Sequence, residues 1–362
     1  MATILPFETA QIASDLKLAY IDSFSLLKPH ERPSNYITIL AIHGVGFNSA
    51  IFTPLISHLP PRTRLLAYNQ RSYTGSSPAF ESKGKGGVDA TAAYLEDFLR
   101  FLEWSVKELG VTSKAEGGGA AVLSWSKGTV IPISLLALLN SSSATKTSSF
   151  PSSFLLRLHL TTYSLARSLL SSHVTSLILF EAPGSAFNRP VTQDFLTSMA
   201  SVLPPNDKSV SQQDWALAFA GWVADYRPPR NAIEEGEEMI PSRLEDLDSV
   251  LVEKRWEWEC VKHGFEWTLS ADKEEIRRIG EMAVRGENDI GVGVGVVYGG
   301  RTVGYFEETV EMIREWWKED ESVGGGKRKK VIERVEGTNH FGFVHKPEEF
   351  VKVLMRCVGK LK

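Results

Sequence analysis

Six short apolar runs recur along this chain, with helix-patterned segments between several of them. The runs are Tyr36–Ile42 (YITILAI), Arg64–Tyr68 (RLLAY), Ala120–Leu123 (AAVL), Val174–Phe180 (VTSLILF), Val292–Tyr298 and Val331–Val335. Short apolar runs bounded by turn residues read as strands buried on both faces. Between them, residues 50–59 and Thr129–Leu139 read as helical, and Pro347–Val358 reads as a final helix. From Asp89 to Leu109 the residues Leu95, Phe98, Leu99, Leu102 and Val106 recur at three- and four-residue steps, the spacing of an amphipathic helix. Strands alternating with helices predict an α/β fold: a mostly parallel central sheet flanked by helices.

Two stretches break the rhythm. Residues 141–153 are Ser/Thr-rich and read as an exposed loop. Residues 187–285 carry helical patterns and clustered tryptophans (Trp215, Trp222, Trp256, Trp258, Trp267) but no good strand. That pattern predicts a core made of 1–186 and 286–362, with 187–285 inserted as a helical cap or lid.

Composition narrows the function classes. With 362 residues, 43% of them hydrophobic, the chain can bury a sizeable core. A formal net charge of −4 gives no electrostatic case for nucleic acid or an anionic membrane. Lys327-Arg328-Lys329-Lys330 is the one basic run, read as a solvated loop. No unbroken run of eighteen apolar residues predicts a transmembrane helix, and the N-terminus lacks a signal-peptide pattern. The two cysteines, Cys260 and Cys357, match no metal-site spacing and fit a reducing compartment. The expectation is a soluble cytoplasmic protein, monomer or homodimer, with a small-molecule partner and neither metal nor organic cofactor.

Three segments bear chemistry. Ala120–Leu123 runs into Ser124-Trp125-Ser126-Lys127-Gly128, a strand, a tight turn and then a helix. A nucleophile at such an elbow needs small residues two before and two after it, and Ser124 and Gly128 satisfy that. The helix N-terminus beyond it favours a developing oxyanion. Ser126 is therefore a candidate nucleophile, though a serine here also suits a helix N-cap. His43-Gly44-Val45-Gly46 follows the first clear run, so backbone N–H groups there can approach a substrate oxygen. The N–H groups of Val45 and Lys127 are the candidate oxyanion hole, and a tight strand-to-loop turn is the plainer reading of the same glycines. Of eight histidines, His340 alone follows a late strand and precedes a final helix, where a general base would sit. Gly44, Trp125, Trp215 and Trp222 are candidate pocket residues, although the tryptophans suit internal packing equally well.

These motifs, in this order and spacing, resemble the α/β-hydrolase superfamily, and the resemblance covers nearly the whole chain. Tyr68–Ser77 also resembles that family's Asp-x-Arg-Gly-x-Gly-x-Ser segment, in a degraded form. The resemblance implies nucleophilic catalysis through an acyl-enzyme, without a cofactor. It also exposes a departure. The family's acid follows the seventh strand, but here Val297–Tyr305 holds no carboxylate, and Thr302 occupies its place. Glu307 and Glu308 come later and would face solvent. Glu181, ending the run VTSLILF, is the alternative, as in family members that include fungal lactone hydrolases. Glu181 could instead cap the next turn or pair with Arg189, and a site without any acid is the remaining option.

The expected activity is hydrolysis of an apolar carboxylic ester or lactone by Ser126, His340 and Glu181. Relatives with an Asp nucleophile, the epoxide hydrolases and haloalkane dehalogenases, do not match Ser126. The alternative within the fold is a cofactor-free dioxygenase or lyase, or a ligand-binding protein.

Overall fold

The computed structural model describes residues 5–79, 87–141, 160–189, 273–285, 290–302, 304–322 and 328–362, with 197, 210, 211, 214, 218, 257 and 260. Its centre is one eight-stranded sheet: β1 (Glu8–Ala13), β2 (Leu16–Asp22), β3 (Ile37–Ile42), β4 (Thr63–Tyr68), β5 (Ala120–Trp125), β6 (Val174–Phe180), β7 (Gly293–Gly299) and β8 (Lys330–Val335). The spatial order is β1-β2-β4-β3-β5-β6-β7-β8. β2 runs antiparallel to β1 and β4, and every other pairing is parallel.

Strand pleating explains why both faces are apolar. Successive side chains point to opposite faces, so Leu40 and Ile42 enter one core while Ile39 and Ala41 enter the other. The first core is roofed by α1 (Gly87–Leu109), α2 (Val130–Ser141), α3 (Leu160–His173), α4 (Lys273–Arg285) and most of α5 (Gly304–Ser322). The second lies under the 3₁₀ run Ser49–His58 and α6 (Pro347–Leu361). Leu95, Phe98, Leu99 and Leu102 of α1 are fully buried, as their helical spacing requires. The segment expected as a helix at 50–59 is 3₁₀ instead, with Pro54 inside it. Proline has no N–H to give an α-helical ladder.

Each parallel strand ends at the same edge of the sheet. The chain winds from β3 to β4 on one side and to β5 on the other, the kind of switch point where open α/β sheets bind ligands. The segments after β3, β5, β6, β7 and β8 therefore gather at that edge.

Most of 187–285, including Trp215, Trp222, Trp256, Trp258 and Trp267, lies outside the described residues, as do most of 141–153. The last helix of that stretch, α4, packs Ala283 and Val284 into the first core. The basic run is a correction. Arg328 is buried and donates to the Ala283 carbonyl and to Asn140 Oδ1, at 2.8 and 2.9 Å. Lys330 pairs with Asp320 at 2.9 Å over the face of Trp317. Both cations turn inward because α4 and α5 present carbonyl, carboxylate and ring partners that a solvated loop would lack. Cys260 and Cys357 are buried thiols that form no disulfide. No helix among the described residues is long and apolar enough to cross a membrane.

Candidate active site

Ser126 stands where β5 ends and a 3₁₀ turn, Ser126–Thr129, leads into α2. Its φ is +53°, left-handed backbone that a non-glycine residue adopts only when its surroundings impose it. The cap position of the turn falls on Trp125 and carries no side-chain capping bond, so Ser126 is not the N-cap. Ser124 is buried and donates to the Ile178 carbonyl at 2.9 Å. Its hydroxyl thus ties the elbow to β6. Gly128 has no such latitude, because a Cβ there would lie 2.5 Å from the His43 carbonyl oxygen.

The loop after β3 is held by a small polar network. His43 is fully buried, accepts from the Gln70 N–H at Nε2 (3.0 Å) and donates from Nδ1 to the Gly44 carbonyl (2.9 Å). Burial drives the His43 pKa down to about 4, which keeps the ring neutral and this tautomer in place. The Gly44 carbonyl shares a peptide with the Val45 N–H, and across a trans peptide the two point in opposite directions. The His43 bond therefore aims the Val45 N–H away from itself. Gly44 approaches the elbow closely: a Cβ on it would lie 3.1 Å from Ser126 Cβ.

Glu181 leaves β6 with φ +52°, a second left-handed residue at the same edge of the sheet. Its carboxylate meets three donors. Gly299 N–H donates to Oε1 at 2.7 Å, Thr302 Oγ1 donates to Oε2, and His340 Nδ1 lies 3.3 Å from Oε2. Glu181 is 1% exposed and His340 2%. A carboxylate accepts, so His340 carries its proton on Nδ1 and turns Nε2 into the acceptor a general base needs. Burial holds the His340 pKa below its ordinary value, with the bond and charge of Glu181 pulling the other way. The alternatives to Glu181 are engaged or exposed: Glu307 faces solvent, and Glu308 pairs with Arg189 at 2.9 Å. The arginine that was an alternative partner for Glu181 belongs to Glu308.

Trp125, expected to line a pocket, is committed to packing. It is 1% exposed, its ring meets Phe47, Phe341 and Phe343, and its Nε1 donates to the His340 carbonyl at 2.9 Å. Its position on the last residue of β5 turns the ring into the second core, where it backs the histidine. Phe306, which the sequence did not single out, stacks on His340 with centroids 4.8 Å apart. Glu257 was also unmarked by any motif, whereas Gln70 and Tyr73 lie within the Tyr68–Ser77 segment. Lys127, the residue after Ser126, is buried, and desolvation lowers its pKa to about 7. No group of three or more potential metal ligands occurs among the described residues.

No protein-family model matches the sequence, and no curated protein is detectably similar to it. Solved structures do match over their whole length. A haloalkane dehalogenase from Agrobacterium tumefaciens C58 is 12% identical with a TM-score of 0.57, covering 99% of this chain and 97% of its own. A thermophilic esterase from Thermogutta terrifontis is 10% identical with a TM-score of 0.50, covering 98% and 99%. Epoxide hydrolases of the α/β-hydrolase superfamily, found in metagenomes from hot environments, match at 13% identity with a TM-score of 0.52, covering 99% of each chain. At such identities the likeness speaks for the fold, and it agrees with the strand order and the elbow: this chain has the α/β-hydrolase fold.

Proposed function

We propose that the protein is a serine hydrolase that cleaves a carboxylic ester or lactone of an apolar small molecule through an acyl-enzyme. The observation that carries this reading is the buried contact between Glu181 and His340, with Thr302 donating to the same carboxylate, together with a left-handed Ser126 at the end of β5. In this reading Ser126 Oγ attacks the carbonyl carbon and His340 Nε2 takes its proton. The N–H groups of Val45 and Lys127 hold the oxyanion. Collapse expels the alcohol, which receives the proton from His340. Water, deprotonated by His340, then attacks the acyl-enzyme and releases the acid. Glu181 fixes the imidazole tautomer and stabilises the imidazolium that forms. The neighbours' descriptions span dehalogenation and the hydrolysis of esters and epoxides. The choice among them rests on this chain's own residues, and a serine at the elbow favours the ester. The ring of Phe306, stacked on His340, favours an apolar substrate.

The test is labelling with a fluorophosphonate probe alongside turnover of a short-chain nitrophenyl ester. The expected result is one label, on Ser126, and loss of both label and turnover in Ser126→Ala. Turnover unchanged in that variant would overturn the reading and favour a histidine-based lyase or oxygenase on the same fold.

A further inference from the structure

The loop carrying the Val45 N–H is gripped from a distant part of the chain. The backbone N–H of Glu257 donates to the Gly46 carbonyl at 2.8 Å. Its carboxylate accepts from Asn48 Nδ2 at 2.8 Å and from the Thr74 N–H at 2.7 Å. From the other side, the Gly46 N–H donates to the Tyr73 hydroxyl at 2.8 Å. Both polar groups of Gly46 are thus fixed, one by Glu257 and one by the residue preceding Thr74. Cys260, whose N–H donates to the Glu257 carbonyl, adds a contact from Sγ to the Ser72 carbonyl. One acidic side chain therefore joins the 43–48 loop to the 69–77 loop. Cutting that joint would untie Asn48 from Thr74, and Gly46 would be left to the Tyr73 hydroxyl and the Glu257 N–H.

We propose that Glu257 is a positioning residue for the oxyanion hole, clamping the loop that presents the Val45 N–H. The inference rests on the hydrolase reading, since only that reading gives Val45 a role in turnover. An oxyanion donor works only when held where charge develops, and a misplacement of about 1 Å can cost ~10²-fold in rate. Loss of one clamp bond out of several should cost about tenfold in kcat.

The bonding pattern supplies its own control. Both oxygens of Glu257 face donors, so Glu257→Gln satisfies only one of them. Asn48→Asp breaks the same bond from the other end, setting two carboxylates together while keeping the oxygen that caps Ala50 N–H. In the double variant the Gln amide can donate to the Asp carboxylate, and the bond returns with its direction reversed. The measurements are kcat and KM on a nitrophenyl ester, the inhibition constant of an alkylboronic acid, and Tm. The expected result is a roughly tenfold fall in kcat for each single variant, KM within about twofold, and a matching weakening of the boronate. The double variant should recover most of the loss. Single variants that keep kcat and boronate affinity overturn the clamp while leaving the hydrolase reading intact. So does a loss of kcat that follows Tm and is not rescued. A wild-type protein that neither turns over the ester nor binds the boronate overturns both.

Discussion

Two buried acid–base pairs in this molecule look alike on paper and are built differently. Asp22 and Arg64, at the end of β2 and in β4, form a fork: Nε meets Oδ1 at 2.8 Å and Nη2 meets Oδ2 at 2.5 Å. Every side of that pair is used. Arg64 Nη1 also donates to the Leu109 carbonyl, and Asp22 also accepts from the Phe24 N–H. Burial opposes the Arg64 charge, yet the bonds and charge of Asp22 outweigh it and raise the guanidinium pKa. Glu181 and His340 share a single contact at 3.3 Å, and burial keeps the imidazole easier to deprotonate than usual. The first pair commits both carboxylate oxygens and most of the guanidinium donors, and the bonds to Asp22 keep Arg64 charged. The second holds a buried imidazole whose neutral form is favoured by burial while the carboxylate beside it favours the charged form. One arrangement suits holding strands together; the other suits moving a proton.

Substitutions should separate the two pairs by what they damage. Glu181→Gln keeps the shape but no longer enforces the Nδ1–H tautomer, so kcat should fall by about 10³–10⁴ while Tm changes little. Ester kinetics and a thermal melt check this; a loss of only a few-fold would mean the carboxylate is not the orienting acid. Asp22→Ala should do the reverse. It leaves Arg64 buried and unpaired, which costs about 3–5 kcal/mol of stability. Urea unfolding measures that loss, and kcat per folded molecule should stay within about twofold; a selective fall in kcat would blur the distinction.

His43 sharpens the comparison as a buried ring with no acidic partner. Its pKa falls from 6.5 to about 4 on folding, so the unfolded chain binds the extra proton between those values. Stability is therefore full above about pH 6.5 and declines as pH drops through 4, by about 3 kcal/mol for this shift. Urea midpoints between pH 7.5 and 4 should show a shallower slope in His43→Asn than in the wild type. An identical slope would assign the acid sensitivity elsewhere. Because the His340 pKa is also lowered, the acid limb of kcat/KM should lie below the ordinary histidine value. The smallest effect belongs to Thr302→Val, which removes one donor from Glu181. A charged hydrogen bond is worth about 1.5–3 kcal/mol, so kcat should fall by roughly 10- to 100-fold. A rise instead would indicate that the hydroxyl competes with His340 for the carboxylate.

How much was legible in advance follows from how local each signal is. Parallel strands buried on both faces leave continuous apolar runs, so β3 to β8 could be read within a residue or two. The hairpin β1–β2 could not, because β1 is an edge strand whose burial is partial and whose residues, ETAQIA, carry no strong pattern. The basic run misled for a related reason. Charge predicts solvent exposure on average, whereas Arg328 and Lys330 are drawn inward by Asn140, Ala283, Asp320 and Trp317. Trp125 carried no mark telling whether its ring faced the cleft or the core. Only the pleat at the end of β5 decides that.

The sequence by itself determined the fold class and the elbow, since apolar periodicity and the spacing of small residues around Ser126 are local properties. It also narrowed the acid to Glu181 or a few alternatives by showing Thr302 where a carboxylate was expected. Tertiary structure decided the rest. Glu181 and His340 are 159 residues apart in the chain and become neighbours only because β6, β7 and β8 pair in register and end at one edge. The same pairing brings Thr302, which stands where a carboxylate was expected, to the Glu181 carboxylate.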